Sequence, residues 1–295
     1  MQGAKGPSLV RSWIIGAVCA AGVLCETPLF AQTLTKAEDL YKHTDYQGSI
    51  KLLDKNSSDP ATNFLIGRDY FMLADFKQSA GYFQKATEND PNNAEYMDWL
   101  GRAIGRRAET SNPLLAFGLA SKARQAFELS VQLDPKNSDA LSDLFEYYLE
   151  APGFLGGGLD KAAKVAAQVS ALDPAEGYYE KAKLAQKRKE YHSAENELRQ
   201  AVVVAPGSIA QLIELAKFLS KQGRTRESDA VLQQAQQVAP DSPRVWFARA
   251  DLYVKQKRNL DEAKSLLQKY LQAPVTVDDP PKEEARRLLK QVDGV

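Results

Sequence analysis

Arg102 and Arg106 lie four residues apart, so on a helix they share one face. Two guanidinium groups presented together can fork onto carboxylates, whether of an acidic peptide or of a chain terminus. A blander reading competes: Asp98, Glu146 and Glu150 are available to neutralise them within the chain. Other reactive chemistry is sparse. The only histidines, His43 and His192, are far apart in sequence, and His192 adjoins a turn, so neither a metal site nor a nucleophile–base constellation is expected. Carboxylates recur at helix-surface spacing, which favours salt-bridge partners over acid–base pairs. The run Gly153-Phe-Leu-Gly-Gly-Gly158 has the glycine density of a phosphate loop. Leu159, however, stands where that motif needs lysine, and no strand precedes it. It reads as a link that lets two helices turn sharply, with Phe154 and Leu155 as apolar residues in an expected surface loop. No catalysis, cofactor or metal is expected.

Composition narrows the class. The 295 residues carry 38 basic and 38 acidic side chains, so no global field draws the chain onto nucleic acid. Charges are scattered as on a solvated helical surface. At the N-terminus, Lys5 and Arg11 precede an uncharged, largely apolar run from Trp13 to Cys25, and Leu29-Phe30-Ala31 follows. That run is too short to cross a hydrocarbon core of about 30 Å, so residues 1–31 are expected to be a removed signal peptide, cut before Gln32. A lipid anchor would need a small residue before its cysteine; Val18 before Cys19 and Leu24 before Cys25 argue against it. Both cysteines fall in this segment, so the mature chain has no thiol chemistry or disulfide. The expected location after export is the periplasm, with a lipid-anchored or a secreted protein as the alternative.

The elements that must position any site are helices. Thr35-x-x-Glu38 has the form of a capping box opening a helix that reaches His43, and Ser49 to Lys55 supplies a second. From Pro60 onward, prolines at 60, 91, 135, 174, 206, 240 and 274 recur at intervals of 31, 44, 39, 32, 34 and 34 residues. Each is expected to follow a helix end. The two long intervals mark insertions near 106–117 and 150–160. In the first, Arg106 to Asn112 replaces the turn, with Asn112 as cap and Pro113 at the first helical position of a lengthened helix. Near the C-terminus, Asp279-Pro-Pro is expected to cap a last helix, Lys282 to Val292, with Ala285, Leu288 and Leu289 on one stripe.

Within each interval a small residue on the first helix faces a bulky one on the second. Gly67 is set against Phe83 and Ala86, Gly101 against Phe127, Ala182 against Leu198 and Ala216 against Leu232. In 135–174 the order is inverted, Phe145 against Ala166, which reads as a volume exchange across one pair. This pattern resembles the tetratricopeptide repeat, a helix-turn-helix unit of about 34 residues. The resemblance implies an all-α, right-handed superhelical solenoid of antiparallel helix pairs. A partial repeat would occupy 32–59, six repeats 60–274 and a capping helix 275–295. Tyr147-Tyr148-Leu-Glu-Ala-Pro152, Gly157-Gly158 and Lys161-Ala162 resemble a segment of exported bacterial members without an established activity.

The resemblance also places a concave groove. Its lining would be Phe64, Arg68 and Phe71; Asp98, Arg102 and Arg106; Glu146 and Glu150; Tyr179, Lys183 and Lys187; Lys217 and Lys221; and Phe247 and Asp251. The family implies a protein or peptide partner there, although the Lys/Asn clamp of chaperone-docking members is not reproduced. The expected role is a non-catalytic interaction module or scaffold. The rivals are a subunit of a cell-envelope or secretion assembly, and a carrier or enzyme of small glycans using Tyr179 and Phe247.

Overall fold

The computed structural model describes residues 29–276 and 279–294, with side chains from Ala31. The expected signal segment therefore lies almost wholly outside the described residues. Fifteen α-helices follow one another, with no strand among the described residues. They are α1 (Leu29–Lys42), α2 (Tyr46–Leu52), α3 (Pro60–Met72), α4 (Phe76–Asn89), α5 (Ala94–Glu109), α6 (Pro113–Leu133), α7 (Ser138–Glu150), α8 (Leu159–Leu172), α9 (Pro174–Lys187), α10 (Tyr191–Val204), α11 (Ile209–Lys221), α12 (Thr225–Val238), α13 (Pro243–Lys255), α14 (Leu260–Gln272) and α15 (Lys282–Asp293). Each helix packs on its successor, and the odd-numbered helices from α1 to α13 also touch one another in neighbouring repeats, α9 and α11 through Gln211 Nε2, which donates to Glu176 Oε2 at 3.4 Å. The first helices of the pairs thus form one layer of a solenoid, and the second helices form the other.

Helix starts follow from side-chain caps. Asp45, Asp59, Asp75, Asn93, Asn112, Asn137, Asp173, Ser208 and Ser242 each accept a backbone N–H from the first turn of the helix they precede. The pair contact is steric. A methyl group on Gly67 would sit 2.7 Å from the Phe83 ring, and one on Gly101 2.7 Å from the Phe127 ring. Only glycine leaves room for those rings. In the inverted pair Phe145 and Ala166 are both buried in the same apolar cluster, as a volume exchange requires. At the C-terminal end Ala285 and Leu288 of α15 cover Trp246, Phe247 and Tyr270, closing the last repeat.

Several local expectations need correction. Thr35 does not cap a helix: α1 runs through it, and its hydroxyl donates to Ala31 O one turn back. The second helix spans Tyr46–Leu52 rather than Ser49 to Lys55, because Asp45 caps it early. Pro60 opens a helix instead of following the end of one, and Pro174, which does follow the end of α8, also opens α9; each sits just after a capping aspartate at a position that needs no N–H donor. Asp279 does not cap α15; its carboxylate accepts from Thr276 N at 2.9 Å. Arg106 to Glu109 remain helical, so the turn of the first insertion shrinks to Thr110–Asn112, while Asn112 and Pro113 open α6 as expected.

The two insertions form one body. Tyr147 donates its hydroxyl to Leu155 O at 2.9 Å, and Tyr148 donates to Glu128 Oε1 on α6 at 2.8 Å. Gly158 N bonds back to Tyr148 O, and Lys161 Nζ bonds to Gly156 O. The Phe117 and Phe154 rings meet edge to face at 5.7 Å, one from each insertion. Gly157 is needed because a methyl there would lie 1.8 Å from Ala151 O. The Tyr-Tyr…Gly-Gly…Lys segment thus builds the link between α7 and α8 and ties it to the lengthened α6.

Candidate partner-binding groove

Arg68 on α3 and Arg102 on α5 occupy the same place in successive repeats, each one residue beyond the small-residue position at Gly67 or Gly101. What they meet in the next repeat differs. Arg102 Nε bonds to Asp98 at 2.9 Å and also reaches Asp143 on α7. Arg68 meets Trp99, which holds the place in its repeat that Asp143 holds in the next. The Arg68 guanidinium lies 4.2 Å from the Tyr41 ring centroid, 5.2 Å from Trp99 and 5.6 Å from Phe64. Among the described residues it has no carboxylate partner, and its Nε is buried without a hydrogen bond. Three rings thus surround the guanidinium.

Arg68 stands between two cavities. One, of about 690 Å³, is lined by Tyr41, Phe64, Arg68 and Tyr96 with Glu38 and Lys42. The other, of about 390 Å³, shares Tyr41 and Arg68 and adds Asp98, Trp99 and Arg102. Together they make a groove with an aromatic floor, in which Arg68 and Lys42 share the walls with the carboxylates Glu38, Glu95 and Asp139. Phe64 is buried in this floor, with its ring 4.5 Å from Tyr96. Phe71 packs edge-on against Trp99 at 5.4 Å.

The remaining predicted groove residues are mostly satisfied within the chain. Arg106 pairs with Glu109 at 2.5 Å and stacks on Phe76, so it does not join Arg102 as a free pair. Lys183 pairs with Glu146, and Lys187 with Glu150 at 2.7 Å. Lys217 pairs with Glu214 at 2.8 Å, whereas Lys221 projects exposed from the end of α11. Tyr179 lies beside Lys183, whose ammonium is 5.3 Å from its ring. Phe247 is withdrawn into the core against Tyr270, and Asp251 pairs with Lys255. Only one of the charges nominated for neutralisation, Asp98, meets the arginine pair; Asp143 and Glu109 do the rest.

Burial shapes the electrostatics. Asp98 is buried and shares Arg102 with Asp143; loss of solvent, then the neighbouring charge of Asp143, raise its pKa. Burial pushes Asp69 up to about 7 although Ser49 donates to it at 2.7 Å, and pushes Glu180 up to about 8. Lys183 is pushed down to about 8, again by burial. His43 is exposed and its Nδ1 contacts Asp39 O at 2.8 Å, and His192 is exposed. No group of three or more His, Cys, Asp or Glu side chains converges as a metal site would require among the described residues.

Residues 213–274 match the family model described as tetratricopeptide repeat. A tetratricopeptide repeat protein of Parabacteroides merdae aligns over 90% of this chain and 98% of its own, at 12% identity and a TM-score of 0.55. The chain thus has the fold of a tetratricopeptide-repeat solenoid, and residues 213–274 match the repeat itself. PilF of Pseudomonas aeruginosa covers 77% of the chain and 96% of its own at 14% identity and a TM-score of 0.45. A thermophilic protein of Thermus thermophilus covers 80% and 100% at 19% identity and 0.44. No curated protein matches by sequence. Tetratricopeptide arrays serve in general as non-catalytic surfaces for protein partners, which is the role this fold suggests. No helix among the described residues is long and apolar enough to cross a membrane.

Proposed function

We propose that the chain is an exported, non-catalytic scaffold whose first repeats hold a segment of a protein partner, with Arg68 taking a carboxylate of that segment. The observation that carries this reading is the substitution of Trp99 for an acid opposite Arg68, which leaves a guanidinium clasped by rings but unneutralised beside a large cavity. A carboxylate entering there would gain a charge-assisted, two-pronged hydrogen bond in a partly dry site. The aromatic floor of Phe64, Tyr41 and Tyr96 would bury the apolar side of the same segment. Export and a periplasmic location rest on the charge pattern of residues 1–31.

Affinity capture from the cell-envelope fraction tests this with Arg68→Glu beside Arg106→Glu. One defined partner should be captured by the parent chain and by Arg106→Glu, and lost with Arg68→Glu. Retention of that partner by Arg68→Glu would overturn groove recognition and favour assembly through another face. Oligosaccharide binding without any protein partner would favour the glycan reading instead.

A further inference from the structure

The two insertions carry an apolar knob on the outside of the array. Leu114 is 89% exposed and Phe154 76%, with Leu115 and Phe117 about half exposed beside them. No charged residue occurs between Thr110 and Ser121 or between Ala151 and Leu159, the two stretches that meet through Phe117 and Phe154. Four exposed apolar side chains in two stretches that meet through Phe117 and Phe154 are not explained by packing within the chain.

We infer that this knob inserts into the surface of an anionic lipid bilayer, independently of the groove. Two observations select lipid over other occupants. First, most of the knob's backbone, apart from the N–H groups of Leu114, Gly153 and Phe154, is already hydrogen-bonded within the chain. Pro113 has no N–H, and the N–H groups of Leu115 and Ala116 both bond to Asn112 O. Those of Leu155, Gly156, Gly157 and Gly158 bond to Pro152, Gly153, Pro152 and Tyr148. Leu155 O and Gly156 O are taken by the Tyr147 hydroxyl and the Lys161 ammonium. Entry into the headgroup–acyl boundary therefore strands few polar groups, which is what a low-dielectric medium demands. Second, the flanks are basic. Arg107 lies on the last turns of α5, Lys122 two turns beyond Leu114 on α6, and Lys161 and Lys164 on one face of α8. None has an acidic side-chain partner among the described residues, while the nearby acid Glu109 is held by Arg106. An apolar tip flanked along the chain by Arg107, Lys122, Lys161 and Lys164, against the acid Asp160, carries a net positive border complementary to anionic headgroups over acyl chains.

Vesicle cosedimentation tests this with the full chain, each variant keeping residues 1–28 so that any contribution of that segment is common to all. The probes are phosphatidylcholine vesicles with and without phosphatidylglycerol. The parent should partition onto anionic vesicles about tenfold or more tightly than Leu114→Ser/Phe154→Ser, from the apolar surface removed. Lys122→Glu/Lys164→Glu should lose the preference for phosphatidylglycerol by a similar factor. Vesicles should protect backbone amides at 114–118 and 153–156 from exchange. Equal partitioning of the parent and the Leu114→Ser/Phe154→Ser variant overturns the inference, as does absence of protection in those stretches. A concentration-dependent dimer that the same variant abolishes, with vesicle binding unchanged, would assign the knob to a second copy and also overturn it. All four positions are exposed, so circular dichroism of the variants should match the parent.

Discussion

Alanine at Gly177 and alanine at Gly81 are the same chemical change in the same kind of helix, and they should act in opposite directions. Gly177 lies one turn into α9. Asp173 alone joins α9 to α8, ending one helix and capping the next through Ala175 N and Glu176 N. So short a link presses the start of α9 onto the end of α8. A methyl group on Gly177 would stand 2.4 Å from the Ser170 Cα and 2.6 Å from its Cβ. Backbone atoms cannot rotate away, and ordinary carbon contacts are about 3.5–4.0 Å, so the two helices must part by about 1 Å or more. Overpacking of this kind costs roughly 1–3 kcal/mol, here toward the upper end because the obstacle is main chain. Gly81 on α4 has nothing within 4 Å of the added methyl, so only the gain in helix propensity remains, about 1 kcal/mol of stabilisation. The propensity gain is common to both, so the two variants should differ by the overpacking cost of about 1–3 kcal/mol in urea-induced unfolding followed by circular dichroism. A Gly177→Ala variant as stable as Gly81→Ala would refute the close approach of α8 and α9.

Three further outcomes follow from the packing and the buried charges. Phe83→Ala empties the space beside Gly67 and should cost about 3–5 kcal/mol; fluorescence of Trp99, whose ring is 5.7 Å from Phe83, reports the loosening, and unchanged unfolding would count against the pair contact. Ala166→Phe adds a ring to a cluster already filled by Phe145 and should lower stability by about 1–3 kcal/mol, whereas an unaltered melting temperature would contradict the volume exchange. The buried acids predict an unusual pH dependence. Asp69 and Glu180 keep a proton in the folded chain up to about pH 7 and 8, well above the pH at which the unfolded chain has released it. Folded protein then binds more protons than unfolded across this window, so stability is greatest below the usual carboxylate range and falls as pH rises toward 8. Melting temperature should decline from pH 5 to pH 8, less steeply in Asp69→Asn; a rise over that window would show these groups to be ionised in the fold.

Much of the architecture was legible because it is local and periodic. Asn112-Pro113 announced the early start of α6 by cap chemistry alone, and the proline spacing located both insertions. Small and bulky residues one pair apart identified Gly67 with Phe83 and Gly101 with Phe127, since the repeat converts sequence separation into spatial separation. Legibility ended where the backbone departs from residue preference. Thr44, Ala74, Lys189 and Lys257 adopt positive φ at the turn between helices, as Gly223 does, but only the glycine could be read as a turn.

The candidate site was harder to read, and the reason is pairing across repeats. The sequence alone nominated, through its resemblance to the repeat family, a stripe of first-helix positions including Arg68, Arg102 and Arg106. It could not rank them, because all three are arginines on similar helices. Tertiary structure decided their standing by what the neighbouring repeat sets opposite each one. Asp143 neutralises Arg102, Glu109 takes Arg106 within its own helix, and Trp99 leaves Arg68 clasped by rings without a counter-charge. Tertiary structure also joined two insertions that the sequence separates by some thirty residues, through one Phe117–Phe154 contact. Hydrophobic spacing along one helix carries the fold; the charge balance of a groove depends on distances between helices.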